Sequence, residues 1–294
     1  KVSQEMIDGL KTNGHEVFYK TGLTEDELIA TVPGFQVMVV RSATKVTEKI
    51  LDAATDLKVV IRGGVGIDNI KHKHAESKGI SVRNTPSASS PSVAELALGH
   101  MFSVYRFIAA STWRMRKGDS FKDVKKEYEG LELGGKTLGI IGIGRIGREL
   151  AKRAHGIGMT VIAYDPYIKN AGLEYVEMVS LDDLLGKSHF VSLHIPSAER
   201  PVIGKDEFAK MKKGAVLINC ARGGVVCETS LLEALDSGQL LGAGIDVFEG
   251  EPNPRPEIVN HPRVSVTPHL GASTEEAQTR ISAEVVDIVQ EIFG

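Results

Sequence analysis

The chain has 294 residues, 42% of them hydrophobic and 25% charged, with a formal net charge of -3. That length accommodates two domains with cores of their own, and the near-neutral charge gives no electrostatic footprint for a nucleic acid. No apolar run reaches membrane length, no secretory pattern opens the chain, and Cys220 and Cys227 make neither a disulfide framework nor a metal-ligand cluster, so a cytoplasmic protein without membrane or metal is expected.

Val2, Met6, Ile7 and Leu10 recur at helical spacing until Gly14 breaks the pattern, and residues 15–19 read as a short strand. Thr24 with Glu27 three places on is a capping box that opens a second helix. Residues 37–40 read as a buried strand ending at Arg41-Ser42, 45–54 as a helix, 59–61 as a strand and 62–66 as a glycine loop. A helix over 72–78 and a strand over 80–82 follow. Alternating strands and helices predict a parallel sheet covered on both faces. Such a domain usually begins with a strand, whereas here a helix comes first, so a trimmed chain or a lost strand is expected. Asn84-Thr85-Pro86 and the serine-rich turn to Pro91 suit a domain crossover. Residues 92–110 read as one long apolar helix. The charged stretch 114–130 reads as an exposed arm or a solvated face.

Residues 138–165 organise the rest. An apolar strand enters Gly142-Ile143-Gly144-Arg145-Ile146-Gly147, a helix follows, and a second strand ends in Tyr164-Asp165. This strand, turn, helix and strand are the unit that binds a dinucleotide. Gly142 closes the turn, Gly144 leaves room for a pyrophosphate, and Gly147 lets the helix approach the sheet. The phosphates would sit on free N–H groups at the helix start. Asp165, 21 residues beyond Gly144, would accept the ribose hydroxyls and repel a 2′-phosphate, which favours NAD over NADP.

Beyond Asp165, Ser180 caps a short helix. Strands are read over 190–194, 215–219, 242–247 and 264–267, with helices over 205–211 and 230–237. Residues 273–292 form one amphipathic helix without a sheet partner, expected to return to the first domain. Ligands in open α/β sheets bind beyond the carboxyl ends of the strands. Arg41, Gly64-Val65-Gly66, Asn84, His194, Arg222, Asp246 and His269 all fall at such ends. An imidazole at His269 can exchange a proton near neutral pH. A carboxylate from Glu251 or Glu249 would orient it and favour its protonated form. The Arg222 fork can clamp a carboxylate. His269 could equally cap the following helix, and Arg222 could pin its loop. His194 with Pro196 could shape a cofactor pocket without proton chemistry.

Ordered matches run through nearly the whole chain: 41–47, 65–69, 84–86, the 142–147 turn, 219–224, 246–248 and 268–274. On these the chain resembles the D-isomer-specific 2-hydroxyacid dehydrogenases, most closely their phosphoglycerate-specific members. The resemblance implies two Rossmann-like parallel-sheet domains with an interdomain cleft. The substrate domain would be discontinuous: residues 1–85 and a returning helix over 271–294, around an NAD-binding domain over 86–270. Two crossings between domains would act as a hinge that excludes water. The implied catalytic set is Arg222, Glu251 and His269, which selects Glu251 over Glu249. Cofactor contacts would come from Gly142, Gly144, Arg145, Ile146, Gly147, Tyr164, Asp165, His194, Pro196, Cys220, Ala221 and Asp246, the last on the nicotinamide carboxamide. Substrate contacts would come from Arg41, Ser42, Gly64, Val65, Gly66 and Asn84, with Arg222 and His269.

The implied activity is NAD-dependent oxidation of 3-phospho-D-glycerate to 3-phosphohydroxypyruvate, in serine biosynthesis. The alternatives are a reductase of glyoxylate, hydroxypyruvate or another 2-keto acid, and an NAD(H)-sensing corepressor-like protein. A homodimer through the NAD-binding domain, including residues 102–135, is typical of the family. The tryptophan that many phosphoglycerate-specific members place in the arm corresponds here to Ser120, with Trp113 offset. The chain stops where longer members add a serine-binding regulatory domain, so serine feedback is not expected.

Overall fold

The computed structural model describes residues 2–294. By its internal contacts the chain divides into two compact units: residues up to Ser90 with Ala272–Gly294, and Pro91–Gly271.

The first unit begins with α1 (Gln4–Thr12), capped by Ser3, and α2 (Glu25–Thr31), where both arms of the Thr24/Glu27 capping box are formed. Then come β1 (Val37–Val40), α3 (Glu48–Ala53), β2 (Val59–Arg62), α4 (His72–Ser77) and β3 (Ser81–Asn84). The strands form a parallel sheet in the order β1-β2-β3. Both faces are covered, as successive residues of β2 show: Val60 joins one core, Val59 and Ile61 the other. The predicted strand over 15–19 does not form. His15 N donates to the Leu10 carbonyl, and the segment beyond has no regular secondary structure. An alternating pattern makes a strand only where a sheet edge receives it, and this sheet holds β1, β2 and β3 alone.

The second unit opens with α5 (Ser90–Tyr105). The single helix predicted over 92–110 is broken: Phe107 takes a left-handed φ of 51°, and Leu131 N donates to the Tyr105 carbonyl at the helix end. The stretch expected as an exposed arm or a solvated face is largely helical, as α6 (Ile108–Arg116) and α7 (Phe121–Glu127). Arg114 ties the two together through Asp119 and Glu127.

The large sheet uses β4 (Thr137–Ile141), β5 (Thr160–Tyr164), β6 (Val176–Met178), β7 (Phe190–Leu193), β8 (Ala215–Asn219), β9 (Leu240–Ile245) and β10 (Val264–Val266). Its helices are α8 (Arg145–Gly156), α9 (Leu181–Lys187), α10 (Lys205–Lys210), α11 (Glu228–Asp236) and α12 (Pro256–Val259). β6 and α12 are too short to carry a periodic signal and escaped the sequence reading. All pairings are parallel, in the order β10-β9-β8-β7-β4-β5-β6. Leu138 and Ile140 of β4 enter one core and Ile141 the other. The order reverses between β4 and β7, and such a switch point leaves a crevice beyond the strand ends. The chain then returns to the first unit as α13 (Glu275–Phe293), whose Ile281, Val285 and Val289 pack with Met6 and Leu10 of α1. The fold is thus α/β, with two parallel-sheet, Rossmann-like subdomains.

Candidate active site

The glycine turn sits at the switch point. Gly142 has φ 93°, and a Cβ there would lie 2.5 Å from the carbonyl oxygen of His194, just beyond β7. A Cβ on Gly147 would strike the Gly142 carbonyl. Gly144 is different: a Cβ there would meet no protein atom within 4 Å. It is also the N-cap of α8 and makes no side-chain cap, so the amides of Arg145, Ile146 and Gly147 open the helix without one. Packing requires the outer two glycines, while the middle one keeps open space in front of a helix N-terminus. That is the form of a pyrophosphate cradle.

Asp165, at the end of β5, closes the turn. Its Oδ2 accepts from Ile143 N at 3.1 Å, and its Oδ1 from Tyr167 N and Ile168 N at 2.9 and 3.1 Å. A carboxylate has about four acceptor sites, so this one keeps capacity for a hydroxyl. Tyr164 supports the same corner by accepting from Gly142 N at 2.9 Å. On the other side of the switch, the His194 ring meets Ser192 Oγ through Nε2 at 2.9 Å, and burial pushes its pKa down to about 4. Pro196 is exposed beyond it. Cys220 and Ala221, after β8, are buried; burial and Asp246 raise the Cys220 thiol well above its ordinary value, so it is no thiolate nucleophile.

Beyond the ends of β9 and β10, two of the three catalytic candidates meet through their side chains, while Arg222, after β8, donates from Nη1 to the Ala221 carbonyl. His269 Nδ1 lies 2.8 Å from Glu251 Oε2, and Phe248 N donates to Glu251 Oε1 at 2.9 Å. Glu249 is turned elsewhere, its amide donating to Glu228 at 2.8 Å. The His269 and Glu251 side chains remain 44% and 35% accessible, so the pair can meet a ligand. Arg222 follows β8 in a loop held by Asn219, whose side chain donates to the Arg222 carbonyl at 3.0 Å and accepts from Ala221 N at 3.1 Å. Next to it, Gly223 packs so closely on the 248–251 segment that a Cβ would collide with the Phe248 carbonyl. Asp246 is 1% exposed.

The substrate-side candidates form a group within the first unit. Arg41 is half-buried at the end of β1 and donates to Gln278 Oε1 at 2.5 Å; burial lowers its pKa. Ser42 is exposed. Asn69 pins this loop by donating to the Arg41 and Thr44 carbonyls at 3.0 and 2.6 Å. Gly64-Val65-Gly66 follows β2, and Asn84 donates to the Val65 carbonyl. Arg62, which opens the predicted 62–66 loop, lies beside them. Its guanidinium lies over Gly64, where a Cβ would collide with it, and Gly64 has φ 140°. Arg62 is the last residue of β2, directly before the glycine loop, whereas Arg41 follows β1.

Residues 98–271 match the D-isomer specific 2-hydroxyacid dehydrogenase NAD binding domain. The chain belongs to that family. Hydroxypyruvate reductase of Thermotoga maritima is 48% identical over 277 residues, 92% of this chain and 89% of that protein. D-3-phosphoglycerate dehydrogenase of Methanocaldococcus jannaschii is 43% identical over 285 residues, 95% of this chain but 53% of that protein. The chain thus spans about half the length of that relative. A glyoxylate reductase from Paecilomyes thermophila superposes with a TM-score of 0.80 at 32% identity, covering 87% of this chain and 80% of that one. The protein is an NAD-dependent oxidoreductase of the D-2-hydroxyacid class, and the open cradle at Gly144 fits the cofactor. Among the described residues no helix is long and apolar enough to cross a membrane.

Proposed function

We propose that this chain interconverts a small unphosphorylated 2-keto acid and its D-2-hydroxy acid, with hydroxypyruvate and glyoxylate as the first substrates to try. The observation that carries the chemistry is the 2.8 Å contact between His269 and Glu251. Glu251 engages Nδ1 and orients the ring, leaving Nε2 to handle the substrate proton. Nε2 gives that proton to the carbonyl oxygen in reduction and takes it from the hydroxyl in oxidation. Arg222 clamps the substrate carboxylate and polarises the reacting oxygen. Bound NAD supplies the hydride partner for C2. The 145–147 amides would hold its pyrophosphate and Asp165 its ribose, and His194, Pro196, Cys220, Ala221 and Asp246 would line the nicotinamide side.

The substrate choice is supported by likeness to a hydroxypyruvate reductase along 89% of that protein. Arg41 agrees, because a phosphate would have to displace its bond to Gln278. NADH oxidation should be compared with hydroxypyruvate, glyoxylate and 3-phosphohydroxypyruvate. At least tenfold higher kcat/KM for an unphosphorylated acid is expected. The reverse preference would establish the second reading, oxidation of 3-phosphoglycerate, which the nearness of both Arg41 and Arg62 to the 63–64 glycines favours. In that case Arg41→Ala would raise KM steeply; on the first reading it changes KM little. A homodimer through residues 102–135 is supported by the exposed Ile108, Trp113 and Phe121. Charging Trp113 and Phe121 together should shift the mass in light scattering to that of a monomer.

A further inference from the structure

His100 belongs to none of these roles, yet it is enclosed and fully engaged. It lies on α5, 2% exposed, among Ala97, Met101 and Val104 of the core. Gly244 of β9 leaves the hole it fills, since a Cβ there would collide with the His100 side chain. Its Nδ1 is 3.0 Å from Ser265 Oγ, which meets Ser103 Oγ at 3.0 Å. Its Nε2 is 3.0 Å from Thr267 Oγ1, and the Thr267 hydroxyl donates to Asp246 Oδ1 at 2.6 Å.

The proton directions follow from the acceptor at the end of the chain. A carboxylate only accepts, so Thr267 spends its proton on Asp246 and must receive one from Nε2–H. His100 is therefore held as an Nε2–H donor whose bond fixes the Thr267 hydroxyl. Asp246 in turn holds the turn that carries His269. Its Oδ1 accepts from Leu270 N at 2.7 Å, its Oδ2 from Gly271 N at 2.9 Å, and its carbonyl from His269 N at 2.8 Å. His269 itself sits at φ 56°, a left-handed conformation that a residue with a Cβ keeps only when its surroundings impose it.

We infer that His100 is a positioning residue, which acts through Thr267 and Asp246 to hold the His269 turn in its left-handed form. An apolar side chain filling the same hole would serve packing as well, so the polar chain is explained by orientation. The inference rests on the reading of His269 as the acid/base group. Misplacing a reacting group by about an ångström is enough to cost ~100-fold in rate.

The test uses Thr267→Val, Thr267→Ser and the double variant His100→Leu/Ser265→Val, with kcat, KM, the Kd for NADH and Tm measured on each. Thr267→Val should lower kcat at least tenfold while KM and the NADH Kd stay within threefold. Thr267→Ser, which keeps the hydroxyl, should recover most of the loss. The double variant removes both polar partners together, should fold, and should show the same fall in kcat; it carries the test if Thr267→Val does not fold. Wild-type kcat in either folded variant would overturn the inference, as would a loss in Thr267→Val that Thr267→Ser fails to restore. Full activity in His269→Asn would instead overturn the proposed chemistry, and that result is separable from the others.

Discussion

Two turns at strand ends adopt left-handed backbone for opposite reasons. The turn after β4 uses glycine at 142, φ 93°, and its central Gly144 faces empty space. The turn after β10 uses histidine at 269, φ 56°, and ties its own amide and the next two to Asp246. The first works by what it lacks, so glycine is the cheapest solution. The second must present a ring, so it keeps a Cβ in a disfavoured conformation and takes stability from residues distant in sequence. A site that makes room is written locally; a site that presents a group is written across the fold.

The largest effect separating the turns should come from His269→Asn. Asparagine tolerates the left-handed region, so the backbone survives while the imidazole is lost; kcat should fall by about 10²–10⁴, with NADH affinity, read by fluorescence titration, little changed. Gly142→Ala comes next. The clash with the His194 carbonyl and the positive φ should cost about 3 kcal/mol of unfolding free energy in urea. Gly144→Val should invert that outcome, costing only about 1 kcal/mol as a poorer N-cap but binding NADH at least tenfold more weakly. Equal behaviour of these two variants would end the distinction between packing and cradle glycines.

The smallest effect is a pH dependence. The unfolded chain takes a proton on His194 near the ordinary value of about 6.5, whereas the folded protein resists until about 4. The unfolded state binds more protons across that window, so stability is lost as the pH is lowered, by about 1 kcal/mol on going from pH 7 to 5.5. Burial lowers His100 too, which adds to the same slope. Urea melts of His194→Asn should show a flatter profile.

What could be read in advance follows the same division. The Thr24/Glu27 box, the Ser180 cap and the 142–147 glycines act within a few residues of themselves, and each formed as read. The partnership of His269 with Glu251 rather than Glu249 was open on spacing alone and required the family resemblance. The links from His100 to Ser265 and Thr267 join residues 165 and 167 positions apart, and no local pattern marks them. The misread strand at 15–19 and the break at Phe107 are failures of the same kind. A sheet edge and a distant amide, Leu131 N, decided them.

Gly223 couples two loops at the scale of a single methyl. Because no Cβ fits between the Arg222 loop and the Phe248 carbonyl, the two segments are a matched pair. A lineage that reshapes residues 248–251 to admit a bulkier acid must shift the guanidinium's footing in the same event. Substrate range on this scaffold should therefore drift by concerted loop exchange, and chimaeras that swap only one of the two segments should lose turnover.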